Sequence, residues 1–181
     1  IRYFKLFVLI KQEFLNMFQS FFPQPKLFFS SLALWSGVLI LVWYSFGKTI
    51  GESLGFDLTE TETVIGLGHF ITSEFLWFDT FFAFGALAFF FVWRSRSPHE
   101  WQIWSVLGSA LLIYLSYASV QVSVVINAWY GPFYNDIQTA LTGDGGITAG
   151  DLYGHFLVFC TIAFPYILFI ILNRFFTAHY I

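Results

Sequence analysis

The sequence predicts an all-α protein whose helices cross a membrane about four times. Of its 181 residues 57% are hydrophobic and only 10% are charged, whereas about a quarter of a soluble domain is charged. Four apolar stretches are long enough, or nearly so, to cross a hydrocarbon layer of roughly 30 Å. Cationic side chains are concentrated in alternate connecting segments, as the positive-inside rule requires of a polytopic membrane protein.

The predicted spans differ in length and in their interruptions. The first and most regular is uncharged over its whole length, the second contains Asp79, and the third is long enough to tilt or to project beyond the bilayer. The fourth contains Pro165, which removes one backbone hydrogen bond and predicts a kink. The four spans are residues 27–46, 75–93, 101–126 and 156–172.

Charge distribution predicts the orientation of these spans. Lys48 is the one basic residue in the two connecting segments that carry most of the carboxylates. The other seven cations are Arg2, Lys5, Lys11, Lys26, Arg94, Arg96 and Arg174. Both ends of the chain and the turn between the second and third spans are therefore predicted to be cytoplasmic.

Several functional classes are disfavoured. A formal net charge of −3 leaves no basic surface for a run of phosphates, so nucleic acid is not an expected partner. The single Cys160 and four scattered histidines give no metal-ligand spacing, and no nucleotide-binding or hydrolase motif is present. No cofactor, metal site or catalytic residue is predicted.

Two features inside the spans are candidates for a solute pathway. Asp79 is the one ionisable residue within a predicted span, which favours a proton or substrate site unless it lies at headgroup level. A stripe of small polar residues on the third span indicates either close helix packing or the lining of a wet cavity. Its members are Ser105, Ser109, Ser116, Ser119, Ser123 and Asn127. Gln121 lies off this stripe and requires a partner of its own.

The segment NAWYGPFYNDIQTAL, residues 127–141, is the most informative stretch of the chain. Aromatic and amide side chains at the exit of a span suit a binding vestibule, to which Asn127, Trp129, Tyr130 and Tyr134 would contribute. An interfacial elbow of anchoring aromatics is the alternative, and Gly131 with Pro132 is expected to form a turn. Tryptophans near the predicted span ends, among them Trp77 and Trp93, are likewise expected to anchor the helices at the membrane interface.

Four segments resemble the SbmA/BacA family of bacterial inner-membrane peptide-antibiotic transporters. They are MFQSFFPQPKLFF at 17–29, SPHEWQIWSVLGSAL at 97–111, NAWYGPFYNDIQTAL at 127–141 and LNRFFTAHY at 172–180. The resemblance extends in order from Met17 to Ile181. It implies a proton-driven homodimeric importer of antimicrobial peptides and related solutes.

The fold implied by this resemblance is like the membrane half of an ABC exporter, preceded by an extra helix and lacking a nucleotide-binding domain. Residues 27–46 would belong to the additional N-terminal helices, and the third and fourth spans would begin the exporter-like bundle. By the same resemblance residues 1–16 are an upstream extension and residues 17–181 are the N-terminal part of a longer transporter. By the same resemblance, the membrane glutamates to which the family's proton coupling is attributed lie mainly beyond Ile181 and correspond to no residue here.

Two other functions remain open at this stage. The chain could be the membrane subunit of a transporter whose separate ATPase hydrolyses ATP, or a structural protein of the envelope that transports nothing. Loss of uptake on ATP depletion would favour the first, and unchanged peptide resistance of cells expressing the gene would favour the second.

Overall fold

The computed structural model describes residues 24–59, 64–143 and 146–180, together with Gln12 and Phe22. Most of the predicted upstream extension, residues 1–16, lies outside this part of the chain. The described residues contain no β-strand and form four long helices. These are α1 (Pro25–Ser53), α2 (Ser73–Arg96), α3 (Ser109–Thr142) and α4 (Ala149–Tyr180). A 3₁₀ helix (Leu67–Ile71) precedes α2, and a π-helical segment (Ile103–Gly108) leads directly into α3.

All four helices are long and apolar enough to cross a membrane. The spans are 29, 24, 40 and 30 residues long, counting the π-helical segment with α3, and even the shortest exceeds the roughly 20 residues that a bilayer requires. Between 6% and 28% of each apolar window is buried inside the protein, so most of this surface is left for lipid. The predicted all-α membrane fold is confirmed.

Local sequence signals set the helix ends. The Thr72 hydroxyl accepts a hydrogen bond from the backbone N–H of Phe75 (3.3 Å), which caps the start of α2. At α4, Thr148 and Asp151 form a reciprocal capping box, with the Thr148 backbone N–H donating to the Asp151 carboxylate at 2.7 Å. Pro25 stands at the start of α1, where its missing N–H removes no helical hydrogen bond.

The expected turn at Gly131 and Pro132 is wrong, because α3 continues through both residues to Thr142. Gly131 does not adopt a positive φ, and Pro132 removes one backbone hydrogen bond that the rest of a 34-residue helix tolerates. The helix ends instead at Thr142, and the next residue, Gly143, has a φ of 71°, the left-handed conformation that terminates helices.

The chain divides into two compact units. The first comprises residues 1–54 and 80–110. Its core contains an aromatic cluster of Phe28, Phe89, Phe90 and Trp93 with Val106. In this unit α1 is attached to α2 by a hydrogen bond from the Trp93 indole N–H to the Ser31 hydroxyl, at 3.1 Å.

The second unit comprises residues 55–79 and 111–181. Its core contains Val122, Val125, Trp129 and Ile162, which are 0 to 5% exposed. These residues pack α3 against α4, which follow one another in the chain as antiparallel helices.

Several tryptophans are core residues rather than interfacial anchors. Trp77, Trp93 and Trp129 are 3 to 5% exposed, and two of them donate indole N–H hydrogen bonds to other helices. The expectation of lipid-facing anchors is therefore wrong for these three. A ring that fills a helix–helix contact buries more area than one in the headgroup layer.

Candidate transport pathway and polar network

One exposed polar surface runs along α3 in the second unit. At 100° per residue its members lie within about 40° of one helical direction. We call this surface the polar face of α3 and define it by Ser116, Ser123, Asn127, Tyr130 and Tyr134, all of which are exposed. The helix does not turn at Pro132, so the serine stripe and the tyrosines share one surface, in which Val120 is an exposed apolar residue.

The serines of this face bond to their own helix. The hydroxyl of Ser116 donates to the Leu112 carbonyl at 2.9 Å, and that of Ser123 to the Ser119 carbonyl at 3.1 Å. These hydroxyls therefore need no partner from another helix. Asn127 projects a primary amide from an otherwise apolar span, and an amide exposed to hydrocarbon is costly. This face thus suits water or another protein surface better than lipid.

The two tyrosines form a flat aromatic surface at the far end of the polar face. The rings of Tyr130 and Tyr134 are stacked, with centroids 5.7 Å apart and planes inclined by 22°. Tyr130 is 43% exposed and Tyr134 is 58% exposed. Such a pair offers ring faces to a guanidinium or ammonium group and hydroxyls to peptide carbonyls.

Trp129 is adjacent in sequence but lies on the opposite, buried side of α3. Its ring stacks on Phe133 at 4.5 Å, and its indole N–H donates to the His155 carbonyl at 3.0 Å. Its side chain stabilises the packing of α3 against α4, and its predicted contribution to a vestibule would be indirect.

Of the three remaining serines of the stripe, Ser105 and Ser109 belong to the first unit and Ser119 to the second. Ser105 is buried, 5% exposed, and donates to the Gln102 carbonyl at 3.3 Å. Ser109 is exposed at the start of α3. Close packing within the described chain is thus seen at Ser105 but not at Ser109, Ser116 or Ser123.

A polar recess of about 300 Å³ lies between α3 and α4, beside the polar face. It is lined by Ser119, Ile170, Asn173, Arg174 and Thr177. The guanidinium of Arg174 is the one cationic group in this lining, and the Thr177 hydroxyl donates to the Asn173 side chain at 3.2 Å. Polar groups therefore continue from the middle of α3 toward the end of α4.

Asp79 faces protein rather than only solvent or lipid. Its Oδ2 accepts a hydrogen bond from the Tyr114 hydroxyl at 3.0 Å. Its Oδ1 is buried and has no hydrogen-bond partner among the described residues. Burying a carboxylate oxygen without a hydrogen-bond partner in a membrane-spanning helix is costly, so Asp79 is a candidate for a functional role.

Gln121 has the separate partner that its position required. Its side-chain carbonyl accepts from Nε2 of His69 at 3.1 Å. Since an amide oxygen only accepts, Nε2 carries a proton, and in the neutral ring Nδ1 is then an acceptor. This Nδ1 is buried without a partner among the described residues.

Aromatic rings separate the two polar pairs. Tyr117 stacks on Phe78 at 4.2 Å, and its centroid is 6.4 Å from that of Tyr114. Phe75 lies on the other side, 6.2 Å from Tyr117 and 5.8 Å from His69. We call these two pairs, Asp79–Tyr114 and His69–Gln121, together with the aromatic rings between them the polar network.

A third polar pair joins α3 to α4 near their connecting loop. Nε2 of His155 and Oδ2 of Asp136 are 2.7 Å apart, and Phe133 packs edge-on against the histidine ring. Both side chains are partly exposed, at 21% and 33%. This pair holds the hairpin together at the end where the tyrosines lie.

Sequence reasoning missed His69, Tyr114, Asp136 and His155. One signal was available: Asp136 is six residues before the end of α3 and His155 six residues after the start of α4. In an antiparallel hairpin such positions face each other. The His69–Gln121 contact had no such signal, because it depends on the conformation of the loop before α2. Among the described residues no group of three or more potential ligands could hold a metal.

Comparison with protein families agrees with these observations. Residues 98–181 match the model of the SbmA/BacA-like family. The match contains two of the four resembling segments completely, 127–141 and 172–180, and all but the first residue of 97–111. The segment at 17–29 lies outside the match, so the extension of the resemblance to Met17 stays a prediction.

Proposed function

Because residues 98–181 match the model of the SbmA/BacA-like family, we propose that the chain is a member of this family and acts in the import of peptides across the bacterial inner membrane. The observation that carries this proposal is the family match, which covers α4 and the whole of the third span. The import direction, the proton as driving ion and assembly as a homodimer belong to the same proposal.

The polar face of α3 is the proposed lining of the peptide pathway. An exposed amide on a membrane-spanning helix is costly in hydrocarbon, and both the amide and the two exposed tyrosines can bind a solvated peptide. A cationic peptide would stack its arginines on Tyr130 and Tyr134 and then pass the small Ser123 and Ser116 side chains. Alternating access, with the pathway open to one side at a time, would release it in the cytoplasm.

The polar network is proposed to contribute to proton coupling within this part of the chain, beside the glutamates that the resemblance places beyond Ile181. Protonation of Asp79 at Oδ1 from one side of the membrane would neutralise a charge in the span. Release of that proton to the other side of the membrane would restore the charge. Tyr114 stabilises the ionised form by donating to Oδ2. The difference in energy between the two pathway conformations would then depend on whether the Asp79 carboxyl group is protonated.

The homodimer gives the polar face of α3 a second role. Small side chains such as Ser116 and Ser123 allow two helices to approach closely. In a dimer, two such faces would surround a shared pathway, which would reconcile the packing and cavity interpretations of the stripe.

Peptide sensitivity of whole cells tests the proposed function. The complete gene is expressed in bacteria that lack their own peptide importer, and growth is measured against a proline-rich cationic antimicrobial peptide. We expect the cells to become sensitive, and collapse of the proton gradient to abolish uptake of a fluorescent form of the peptide. Unchanged resistance, at an expression level verified in the membrane fraction, contradicts the function.

The same cells distinguish the energy source. ATP is depleted while the proton gradient is maintained by respiration, with an unrelated ATP-driven transporter as the control. Continued uptake supports proton coupling. Loss of uptake in parallel with the control would show that the chain works with a separate ATPase.

A further inference from the structure

The first unit contains an apolar groove that no part of the proposed transport pathway uses. It has a volume of about 260 Å³ and lies between α1 and α2. Its walls are formed mainly by Leu34, Trp35 and Val38 of α1 and by Ala88, Phe89 and Val92 of α2. The α1 residues are spaced as one helical face, so the groove follows the helix axis.

The groove is closed at both of its ends by close contacts between α1 and α2. At one end a Cβ on Gly85 would come within 2.7 Å of Leu39, so the helices approach closely there. At the other end the rings of Phe28 and Trp93 pack with centroids 5.1 Å apart. Between these contacts the helices leave a slot whose width is set by small and flat side chains, notably Ala88.

The groove offers no free hydrogen-bonding group. The Trp93 indole N–H donates to Ser31, and the Ser31 hydroxyl donates to the Phe28 carbonyl at 2.8 Å. The Trp35 indole N–H donates to the Gly85 carbonyl at 3.0 Å. A peptide backbone placed here would leave its own polar groups unsatisfied, whereas a hydrocarbon chain would not.

Positive charge is concentrated at one end of the groove. Lys26 lies in the first turn of α1, and Arg94 and Arg96 lie in the last turn of α2, beside the Phe28–Trp93 contact. All three are exposed, and none has an ion-pair partner within the described residues. Glu100, in the turn after α2, is the nearby carboxylate in sequence, so cations outnumber carboxylates at this end.

An apolar slot that ends at a cluster of cations matches the chemistry of one class of molecule. We propose that the groove between α1 and α2 binds an anionic phospholipid, with an acyl chain in the slot and its phosphate at Lys26, Arg94 and Arg96. Basic groups beside helices at a membrane surface attract anionic headgroups, each contributing modestly and additively. The lipid would fill the space between α1 and α2 along this groove.

Native mass spectrometry of the detergent-solubilised protein tests the proposal. Phosphatidylglycerol and phosphatidylcholine of identical acyl chains are added separately, and the fraction of protein carrying one lipid is measured. We expect phosphatidylglycerol to bind more tightly, and the double variant Arg94→Gln/Arg96→Gln to weaken it by about 10- to 30-fold, at about 1 kcal/mol for each cation. Lys48→Gln, at the other end of α1, is the matched control and should bind as the unmodified protein does.

A second set of variants tests the slot itself. Ala88→Leu fills the groove and should reduce phosphatidylglycerol binding, whereas Ala83→Leu, exposed on the same helix outside the lining, should not. If Ala88→Leu lowers thermal stability, Leu34→Trp fills the slot from the exposed side of α1 and gives the same test. Soluble glycerol phosphate should not compete with the lipid.

The results can contradict this proposal without affecting the transport function. Equal binding of the two lipids, full binding by the double arginine variant, or full binding by both groove-filling variants would overturn the lipid site. Competition by glycerol phosphate would show a phosphate site without an acyl-chain slot. None of these measurements involves peptide uptake.

Discussion

Asp79 is the residue on which the proposed proton coupling depends. Its substitution by asparagine keeps the side-chain shape and a hydrogen bond with Tyr114 but removes the titratable group. We expect Asp79→Asn in the complete protein to reduce proton-driven peptide uptake at least about tenfold, which corresponds to about 1.4 kcal/mol of coupling free energy. Uptake of a fluorescent peptide is measured as a function of external pH.

Glu74→Gln is the control for this experiment. Glu74 is an exposed carboxylate in the first turn of the same helix, and it is not a member of either polar pair. The control should retain the pH dependence of the unmodified protein. If Asp79→Asn also retains it, with uptake unchanged, Asp79 has no part in the mechanism.

Tyr134 tests the aromatic part of the pathway. Its ring is 58% exposed and stacked on Tyr130, so its removal should cost contacts with the peptide rather than stability. We expect Tyr134→Ala to raise the peptide concentration for half-maximal uptake by about 2- to 5-fold, the effect of losing one exposed cation–π contact of about 0.5–1 kcal/mol. Tyr134→Phe keeps the ring face and should remain within twofold of the unmodified protein, by the same argument. An unchanged half-maximal concentration for Tyr134→Ala would exclude this ring from the pathway.

The contrast between Trp129 and Tyr130 shows what residue type alone cannot predict. Both are aromatic and follow one another in a segment that composition marks as a vestibule. The helical phase of α3 buries the first at 5% exposure and leaves the second 43% exposed. Both residues precede Pro132, so the difference follows from their helical phase relative to Asn127 and not from their type. The phase of Tyr134, beyond Pro132, could not be assigned without knowing that the helix continues.

At the scale of single elements, α3 is the helix whose continuity matters most. Pro132 lies inside it and removes the backbone N–H that would otherwise bond within the helix. An interior proline costs about 3 kcal/mol of helix stability relative to alanine, so Pro132→Ala should raise the thermal unfolding temperature or leave it unchanged. The measurement is circular dichroism at the helical minimum in detergent.

A real turn at this position would give the opposite result. Proline would then stabilise the chain reversal by restricting φ, and Pro132→Ala would lower the unfolding temperature. Gly143→Ala is a useful comparison, because Gly143 has a φ of 71° and is expected to lose stability on gaining a side chain.

The elements themselves were largely predictable because apolar runs and terminal signals are local properties. When the π-helical segment is counted with α3, each predicted span lies within one helix or begins within two residues of it. The predicted helix start near Thr148 and Asp151 is confirmed by their capping box. The ends were less predictable. α1 extends to Ser53 because Lys48 and Glu52 are tolerated on an exposed helix, where their side chains are 3.8 Å apart.

The candidate site was predictable only in part, for a physical reason. Asp79 and Gln121 are noticeable because polar groups in apolar spans need partners, but the partners come from distant parts of the chain. Tyr114 and His69 are 35 and 52 residues away from them. A tyrosine or a histidine does not indicate by its type that it will contact Asp79 or Gln121. These contacts depend on how α2 and the 3₁₀ helix pack against α3.

At the scale of the whole molecule, charge distribution predicts the orientation in the membrane. The loop after α1 is acidic, and hydrogen bonds from the Thr59 hydroxyl and backbone N–H lower the pKa of Asp57, so its carboxylate stays charged there. Arg94 and Arg96 lie at the opposite end of α2. The positive-inside rule places these arginines in the cytoplasm and the Asp57 loop outside.

Cysteine labelling in intact cells checks this orientation. With Cys160→Ser as the background, Leu54→Cys should react with a membrane-impermeant maleimide added outside. Ser95→Cys, also at an exposed position, should react only after the membrane is permeabilised. The reverse pattern would show that the protein is inserted with its cationic segments outside.

Labelling of Ser123→Cys, in the same background, tests the central claim that the polar face of α3 lines a water-filled peptide pathway. Ile167→Cys, exposed on an apolar stretch of α4, is the control. We predict that a water-soluble thiol reagent labels position 123 but not position 167, and that a cationic peptide substrate slows the labelling at 123. Resistance of position 123 to the reagent, or labelling that the peptide leaves unchanged, would contradict the claim.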